Sequence, residues 1–436
     1  MSLNYVVQPG GTLRGTLRVP GDKSISHRSV LLGSLAHGET RVSGFLEGED
    51  TRATAAAMRA MGVIIEADGA GALRIVGRGL RGLSAPNTSL DLGNSGTGMR
   101  LLAGVLAGQP FRSRVFGDAS LNSRPMRRIA DPLRRMGAQF ETTDTGTPPL
   151  DIGPAEALSG IRYEMPVASA QVKSCLLLAG LYADGETVVV EPGLCRDHTE
   201  RMLNGFGYPV TREGNCVSLR GGGQLQAGEV EVPADISSAA FFLVAASIAP
   251  GSDLTLTGVG VNPTRDGVIQ ILKLMGADIE LLNRCERSYE PVADIRVRYA
   301  PLRGIRIPEE LVANAIDEFP ALFVAAACAT GETRLTGAGE LRVKESDRIG
   351  AMATGLQALG ADAEATPDGM VVRGRELRGG TVRSFGDHRI AMALSMAGLK
   401  AAGRVIVEDC ANVQTSFPSF AATSAAVGVR IAEQRS

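Results

Sequence analysis

The sequence lacks an excess of either charge, which argues against broad electrostatic binding to nucleic acid. It has 45 Lys and Arg residues against 47 Asp and Glu residues, a formal net charge of −2 over 436 residues. A protein that grips nucleic acid through its phosphates normally carries a basic surplus. A local basic pocket is still compatible with this balance, because a sum over the chain does not describe how the charges are distributed.

Long apolar runs are also missing. The longest, from about Ala239 to Ala249, is far shorter than the roughly 18–20 residues that a membrane span needs. The first residues, Met1 to Tyr5, do not resemble a signal peptide. The chain is 44% hydrophobic and 21% charged, as is usual for a globular protein of two or three domains. We therefore expect a cytoplasmic protein.

The cysteines and histidines show no metal-binding or disulfide spacing. The four histidines are scattered, and the segment from Arg196 to Glu200 does not match HExxH. No CxxC pair occurs among the six cysteines, which are Cys175, Cys195, Cys216, Cys285, Cys328 and Cys410. We expect reduced thiols and no metal site.

One short element recurs six times along the chain. An apolar residue and a glycine end an amphipathic helix pattern, and a strand-like segment follows. The glycines are Gly62, Gly137, Gly207, Gly276, Gly360 and, more weakly, Gly428. Their spacing of roughly 70–85 residues exceeds that of solenoid repeats and suits a whole supersecondary unit.

A second element keeps the same spacing: an apolar helix pattern, a glycine, and then β-branched residues. It occurs at Gly38, Gly185 and Gly331, with weaker copies at Gly108, Gly251 and Gly403. Glycine can end a helix in the left-handed conformation, and β-branched residues favour the strand that follows. Such junctions are common in α/β proteins, but two elements in step favour a six-fold repeat.

Six units predict an α/β protein with two domains of three units each. We place the N-terminal domain at residues 22–232 and the C-terminal domain at residues 1–21 plus 233–436. The two chain crossings, near residues 20–22 and 231–234, would then form a hinge.

Two glycine-rich segments resemble nucleotide-binding motifs but lack the required context. Gly77–Gly82 matches GxGxxG, yet a cluster of helix breakers follows, so a turn between strands is the better interpretation. The segment from Gly21 to Ser24 resembles the end of a Walker A loop, but Asp22 separates the glycine from Lys23.

Helix starts rich in hydrogen-bond donors carry the main functional signal. Behind a capping Asp22, Ser24 and Arg28 are four residues apart and share a helix face. Free backbone N–H groups, the positive helix end and an arginine one turn inside suit a phosphate. Taken alone, a lysine and an arginine at one helix start more often lie on a solvated surface. Similar segments recur, however, at 94–100, 120–128, 169–173, 342–348 and 385–389. If these helix ends converge, they suit a small substrate with several negative charges.

Two of these segments give more specific geometric predictions. Arg124 lies just before Pro125, and proline suits a helix start. Lys344 and Arg348 are four residues apart, the spacing of neighbours on one helix face.

Two carboxylates lie among the cations. Asp317 precedes a fully apolar helix pattern, where an ordinary N-cap role would explain it equally well. Glu345 lies three residues before Arg348, where a structural ion pair would explain it. The pattern alone leaves these alternatives open.

Together these segments resemble the class II branch of the 5-enolpyruvylshikimate-3-phosphate synthase family of enolpyruvyl transferases. The resemblance runs from about Pro20 to Pro418. Its motifs are GDKS at 21–24, SAQVK at 169–173, RDHTE at 196–200, NPTR at 262–265, RVKESDR at 342–348 and DHR at 387–389. It implies a two-domain inside-out α/β barrel with three βαβαββ repeats in each domain.

The resemblance also implies a reaction and its residues. The enolpyruvyl group of phosphoenolpyruvate would pass to the 5-hydroxyl of shikimate 3-phosphate, with release of phosphate. Asp317 would take the hydroxyl proton, helped by Lys23, and Glu345 would lie near the methylene carbon. The residues implied for shikimate 3-phosphate, on the N-terminal side, are Lys23, Ser24, Arg28, Ser169, Ala170, Gln171, Arg196, Asp317 and Lys344. Those implied for phosphoenolpyruvate, on the C-terminal side, are Lys23, Gly96, Arg124, Gln171, Arg348 and Arg389.

Acid–base groups and an arginine clamp suffice for this chemistry, so no cofactor is expected. The expected partners are the two small substrates, with no nucleic acid or membrane, and the expected state is a monomer. By the same resemblance, the class II motifs suggest weak inhibition by glyphosate, whereas Gly96 suggests sensitivity. The response to glyphosate is therefore left open.

Two alternative functions remain. The sister enzyme, UDP-N-acetylglucosamine enolpyruvyl transferase, shares the implied fold but needs a reactive cysteine in the loop at 117–123, where this chain has none. A non-enzymatic repeat scaffold could bind anions at its helix ends, but it would need neither Asp317 nor Glu345.

Overall fold

The computed structural model describes residues 3–435, which contain twelve α-helices and twenty-five β-strands. The helices are α1 (Lys23–Leu35), α2 (Glu49–Ala60), α3 (Gly96–Leu106), α4 (Arg127–Arg135), α5 (Ala170–Gly180), α6 (His198–Gly205), α7 (Ile236–Ile248), α8 (Gly267–Leu274), α9 (Phe319–Cys328), α10 (Arg348–Ala358), α11 (His388–Ala397) and α12 (Phe420–Ala426). The strands are β1 (Leu3–Gly11), β2 (Arg14–Leu17), β3 (Ala36–His37), β4 (Glu39–Ser43), β5 (Ile64–Ala67), β6 (Leu73–Val76), β7 (Leu90–Asp91), β8 (Ser113–Phe116), β9 (Gln139–Glu141), β10 (Leu150–Gly153), β11 (Arg162–Glu164), β12 (Glu186–Val190), β13 (Thr211–Glu213), β14 (Cys216–Arg220), β15 (Leu225–Gln226), β16 (Glu229–Glu231), β17 (Asp253–Gly260), β18 (Asp278–Arg287), β19 (Glu290–Arg298), β20 (Glu332–Leu335), β21 (Asp362–Thr366), β22 (Gly369–Arg373), β23 (Gly380–Arg383), β24 (Val405–Glu408) and β25 (Val429–Arg435).

The chain divides into two compact units. The N-terminal unit comprises Gly21–Val232 and the short segment Arg287–Glu290. The C-terminal unit comprises the residues up to Pro20, Pro233–Glu286 and the residues from Pro291 onward. The sequence-based division differs in two places, since it left Gly21 and Arg287–Glu290 in the C-terminal domain.

The sheets of the N-terminal unit repeat one plan three times. The strand orders are β16-β4-β6-β5, β7-β8-β10-β9 and β11-β12-β14-β13. In each sheet the first pair is parallel and the next two pairs are antiparallel. A parallel pair needs a crossover connection, whereas an antiparallel pair can be joined by a short turn, so each copy combines both kinds of link.

The C-terminal unit follows the same plan with one shortened copy. The order β23-β24-β1-β25 again has one parallel pair followed by two antiparallel pairs. In the sheet β2-β17-β19-β18, β2 pairs parallel with β17. In the sheet β20-β22-β21, a single bridge between Arg306 and Arg334 takes the place of the parallel strand. The predicted six-fold α/β repeat is confirmed.

The core of each unit is built around three helices that are buried almost throughout. They are α1, α3 and α5 in the N-terminal unit and α7, α9 and α11 in the C-terminal unit. Every residue of α7 is buried, as expected for a helix that is apolar on all sides. Apolar helices inside and sheets outside produce the inside-out architecture.

The predicted helix-ending glycines lie where the chain turns from helix to strand. Gly62, Gly137, Gly207, Gly276, Gly360 and Gly428 all have positive φ, from 75° to 109°. A left-handed glycine therefore ends the helix in all six copies of this element, although the left-handed conformation was predicted only for the second element. In the second element Gly38, Gly185, Gly251 and Gly331 also have positive φ, but the same prediction is wrong for Gly108 and Gly403.

The segment Gly77–Gly82 joins β6 to the chain leading to β7 without opening a helix, as the turn interpretation predicted. Among residues 3–435, no helix has both the length and the apolar character needed to cross a membrane.

Candidate functional site

The three inner helices of the N-terminal unit begin with side-chain caps. Asp22 Oδ1 accepts from Ile25 N at 2.9 Å at the start of α1, and Ser95 Oγ accepts from Gly98 N at 3.0 Å at the start of α3. Ser169 Oγ accepts from Val172 N at 3.4 Å at the start of α5. Each cap uses one backbone donor of the first turn, and the positive end of the helix remains available to an anion.

Side chains tie the first turns of α3 and α5 together. Arg100 Nη1 donates to Gln171 Oε1 at 2.7 Å, and Gln171 Nε2 donates to Thr97 Oγ1 at 2.8 Å. A Cβ atom at Gly96 would lie 2.9 Å from Arg124 Nη1 and 3.1 Å from Arg100 Nη1. Gly96, Arg100, Arg124 and Gln171 therefore form one group, which we call the Gly96 cluster.

Arg100 is a member of this cluster that sequence reasoning did not select as a site residue. Its position, one helical turn after Gly96, was the available signal. The helix-start prediction at Pro125 is wrong in detail, because α4 begins at Arg127 with Met126 as its N-cap. Arg124 instead follows a short 3-10 turn, where its Nη2 donates to Asn94 Oδ1 at 2.7 Å.

Arg28 is buried at the junction of three elements. Its Nη1 donates to the Ser24 carbonyl at 2.9 Å, its Nε to Thr199 Oγ1 at 2.7 Å and its Nη2 to Ser174 Oγ at 2.8 Å. The pKa of Arg28 is lowered to about 10, chiefly by burial; Glu200, Asp22 and Glu290 oppose this shift, and the charge of Arg196 adds to it. Arg28 therefore remains a cation at neutral pH, with Arg196 close enough to influence it.

Lys23 is the first residue of α1 and forms an ion pair with Asp50 of α2. Its side chain is 19% exposed, so the ammonium group is only partly shielded. Ser24 is half-buried, as are Ser169, Ala170 and Gln171 at the start of α5. Most predicted residues of the N-terminal unit therefore lie at or next to a helix start, whereas Arg28 lies more than one turn inside α1 and Arg124 ends a 3-10 turn.

In the C-terminal unit, three cations from two segments, 342–348 and 385–389, meet at Asp317. Lys344 Nζ lies 3.4 Å and Arg348 Nη1 lies 3.3 Å from Asp317 Oδ1. Arg389 Nη1 donates to the Asp317 backbone carbonyl at 3.0 Å. The N-cap of α9 is Glu318, so the alternative of an ordinary N-cap role for Asp317 is wrong.

Arg348 is the most deeply buried of these cations. Its Nε lies 2.9 Å from Asp387 Oδ2, and its Nη2 lies 2.6 Å from Glu345 Oε2. Burial alone would lower the pKa of Arg348, but Asp387, Glu345 and Asp317 together raise it above its ordinary value. Burial alone would raise the pKa of Asp387, yet Arg348 and His388 hold it below its usual range. Both groups are therefore charged across the physiological pH range.

The predicted helical pairing of Lys344 with Arg348 is wrong. Lys344 ends a 3-10 turn, Gly339–Val343, and α10 begins only at Arg348. Both side chains nevertheless contact Asp317. The ion pair between Glu345 and Arg348 is present, so the structural explanation for Glu345 holds, and a role in proton transfer stays a prediction.

Comparison with known proteins decides between the alternatives. The family model for EPSP synthase (3-phosphoshikimate 1-carboxyvinyltransferase) matches residues 7–423. This chain belongs to the EPSP synthase family. The alternative sister enzyme is not favoured.

Individual relatives match over nearly the full length. The 3-phosphoshikimate 1-carboxyvinyltransferase of Methylococcus capsulatus is 64% identical over 427 residues, which cover 98% of each chain. A solved EPSP synthase from Acinetobacter baumannii is 52% identical with a TM-score of 0.91, covering 99% of this chain and 100% of that one. The enolpyruvyl transferase NikO from Streptomyces tendae, 18% identical with a TM-score of 0.79, covers 100% of this chain and 99% of its own and shares the fold.

In the range 3–435, no three or more His, Cys, Asp or Glu side chains are grouped so that they could hold a metal ion. The expectation of a metal-free reaction remains a prediction.

Proposed function

We propose that this chain transfers the enolpyruvyl group of phosphoenolpyruvate to the 5-hydroxyl of shikimate 3-phosphate and releases inorganic phosphate. Membership in the EPSP synthase family supports the reaction. The observation that carries the site assignment is the meeting of Lys344, Arg348 and Arg389 at Asp317. A carboxylate held among cations from separate segments suits a site that binds anions and moves a proton.

Phosphoenolpyruvate offers a carboxylate and a phosphate, so it needs several cationic donors. We assign it to Arg348 and Arg389 in the C-terminal unit and to Lys23, Gly96, Arg124 and Gln171 in the N-terminal unit. Arginine can hold each anionic group through two parallel hydrogen bonds, which fixes orientation as well as charge. The absence of a side chain at Gly96 leaves room beside the Arg124 guanidinium, since even a Cβ would come within 2.9 Å of it.

Shikimate 3-phosphate offers a phosphate, a carboxylate and the reacting hydroxyl. The residues assigned to it are Lys23, Ser24, Arg28, Ser169, Ala170, Gln171, Arg196, Asp317 and Lys344. Positive helix ends and the buried charge of Arg28 supply the anion-binding part. Serine hydroxyls and the Gln171 amide supply neutral hydrogen bonds for orientation.

The reaction proceeds by addition and then elimination. In the first step the 5-hydroxyl oxygen bonds to C2 of phosphoenolpyruvate, C3 gains a proton, and Asp317, helped by Lys23, takes the hydroxyl proton. In the second step C3 loses a proton, the bond from C2 to the phosphate oxygen breaks, and phosphate leaves. We place Glu345 near C3, where a positioned acid–base group accelerates proton transfer. The cationic side chains orient the reactants and stabilise the charge that develops between them.

A phosphate-release assay tests this function. Wild-type protein should release phosphate only when shikimate 3-phosphate and phosphoenolpyruvate are both present, in buffer without added metal. Replacement of shikimate 3-phosphate by UDP-N-acetylglucosamine should abolish release. Asp317→Ala should lose turnover, while Glu310→Gln, a change at an exposed acid in the same region, should not. No phosphate from the two-substrate mixture would refute the proposal.

The two units are proposed to act as a hinged monomer in the cytoplasm, with bending near residues 20–22 and 231–234. Light scattering should give the mass of one chain. Shikimate 3-phosphate should reduce the radius of gyration in small-angle scattering, and an unchanged radius would count against hinge motion.

A further inference from the structure

Three consecutive residues in the first turn of α6 each contact a buried side chain from another segment. His198 Nδ1 lies 2.7 Å from Glu290 Oε1, with both side chains almost fully buried. Thr199 Oγ1 accepts from Arg28 Nε at 2.7 Å. Glu200 forms an ion pair with the buried Lys173 of α5. The position of this turn is therefore tied to three other segments at once.

This turn directly follows Arg196, one of the residues assigned to shikimate 3-phosphate. Thr199 also donates to Ser174 Oγ at 2.7 Å, and Ser174 accepts from Arg28 Nη2 at 2.8 Å. Two of the three side-chain nitrogens of Arg28 thus donate to hydroxyls that are joined to each other, Thr199 of α6 and Ser174 of α5. A small shift of α6 would move the Arg28 guanidinium and the segment that carries Arg196 together.

Glu290 comes from a segment far away in the sequence, the hairpin tip Arg287–Glu290. Two consecutive residues of the tip that are not glycine, Ser288 and Tyr289, have positive φ values of 44° and 69°. Such conformations cost energy and persist where the surroundings impose them. The tip is held at Ser288 Oγ, which accepts from Glu231 N at 2.7 Å, and at the Tyr289 carbonyl, which accepts from Arg201 Nη1 at 3.2 Å.

The tip carries two charged residues in different surroundings. Arg287 pairs with Glu231 at 2.5 Å, where both side chains are more than 40% exposed. Glu290 is 1% exposed, and its charge acts on Arg28. A buried guanidinium needs nearby negative charge, whereas an exposed pair is screened by water. Only the Glu290 contact is therefore expected to affect the Arg28 site.

We propose that Glu290 is a positioning residue for the shikimate 3-phosphate site, acting through His198 on the first turn of α6 and thereby on Arg28 and Arg196. This inference rests on the proposed function. Glu290 does not touch the substrate in this account. It fixes the start of α6, the helix that directly follows Arg196, and it supplies negative charge near the buried Arg28.

Glu290→Gln is the direct test, because glutamine has nearly the same shape but no charge. The dissociation constant of shikimate 3-phosphate, measured by titration calorimetry without phosphoenolpyruvate, should rise on the order of tenfold, the effect of about 1.4 kcal/mol. The KM for shikimate 3-phosphate should rise in parallel, and kcat at saturation should change less than about twofold, because the reacting groups are untouched. Glu290→Asp, which keeps the charge, should bind more tightly than Glu290→Gln.

Glu231→Gln is the matched control, since it removes the other carboxylate that anchors the same tip. It should leave the dissociation constant unchanged. Equal weakening in the two glutamine variants would mean that the tip serves only packing and would overturn the proposal. Wild-type affinity in Glu290→Gln would overturn it as well.

A second variant covers the case in which Glu290→Gln does not fold. A methyl group at Gly205 would collide with the Tyr289 ring, so Gly205→Ala should displace the tip without changing any charge. Weaker binding of shikimate 3-phosphate supports the inference, and unchanged binding refutes it. Failure of the proposed function is distinct, because wild-type protein would then release no phosphate.

Discussion

Replacement of Asp387 by asparagine should destabilise the protein far more than the same replacement at Asp347. Both aspartates are N-cap residues: Asp387 Oδ1 accepts from Arg389 N at 2.9 Å, and Asp347 Oδ1 accepts from Gly350 N at 3.1 Å. Asparagine is an equally good N-cap, so the helix starts survive in both variants. The two changes therefore differ in which ion pair loses its negative charge.

The burial of the two ion pairs gives the expected magnitudes. Asp387 and Arg348 are 0% and 1% exposed, and removal of one partner from a buried pair costs about 3–5 kcal/mol. Glu345 and Asp317 still face Arg348, so we expect a loss of about 3 kcal/mol, at the low end of that range. The pair of Asp347 with Arg342 is 45% and 33% exposed, and its loss should cost less than about 1 kcal/mol.

The effect of Asp387→Asn should also depend on pH in a defined direction. Although burial opposes it, Arg348 holds the pKa of Asp387 below its ordinary value of 3.8. A carboxylate with a lowered pKa stabilises the fold above the unfolded pKa, and this contribution disappears as the pH falls through the folded pKa. The difference between wild type and Asp387→Asn should therefore be constant from pH 5 to 8 and shrink below about pH 4.

Urea unfolding followed by far-ultraviolet circular dichroism measures the free energy of unfolding in all three proteins. Separate transitions of the two units would be fitted separately, because a single two-state value has no meaning in that case. An equal decrease in the free energy of unfolding in Asp387→Asn and Asp347→Asn would refute this prediction. It would show that burial of the pair between Asp387 and Arg348 has no energetic consequence.

Three further predictions concern the proposed site and its surroundings. Asp317→Asn should lower kcat by about 10²–10⁴ with an unchanged circular dichroism spectrum, and near-normal phosphate release would exclude Asp317 as the base. Gly96→Ala should raise the KM for phosphoenolpyruvate on the order of tenfold, because the methyl group displaces the Arg124 guanidinium and weakens a charged hydrogen bond; an unchanged KM would place the substrate elsewhere. Burial, together with the charges of Lys23 and Arg28, holds the pKa of His27 well below 6.5, so protonation of the unfolded state should reduce stability as the pH falls below 6.5. His27→Asn should remove up to about 1.4 kcal/mol per pH unit of that dependence in unfolding titrations from pH 5 to 7.5, and the same slope in both proteins would contradict this account.

The repeat architecture was predictable because its signals are local. A glycine after an apolar residue ends a helix through its own φ, and Gly62 and Gly137 behave as the pattern indicates. Prediction was less reliable where the chain departs from regular helix. Lys344 and Arg348 have helical spacing in the sequence, but a 3-10 turn and a loop separate them.

The candidate site was predictable in residue type more than in arrangement. Resemblance to the family supplied Asp317 and Arg348, and the structure adds that Asp317 is not the N-cap of α9. Arg100 was passed over because an arginine one turn inside a helix has no distinctive meaning until its partner is known. That partner, Gln171, is 71 residues away.

By itself the sequence determined the six-fold repeat, the left-handed helix caps and the cationic helix starts, because each depends on residues only a few positions apart. Tertiary structure decided which charges meet: Asp387 with Arg348 across 39 positions, and Glu290 with His198 across 92. No local pattern specifies such pairs. They form where the packing of sheets around the inner helices removes water from both partners, and burial is what makes their charges matter.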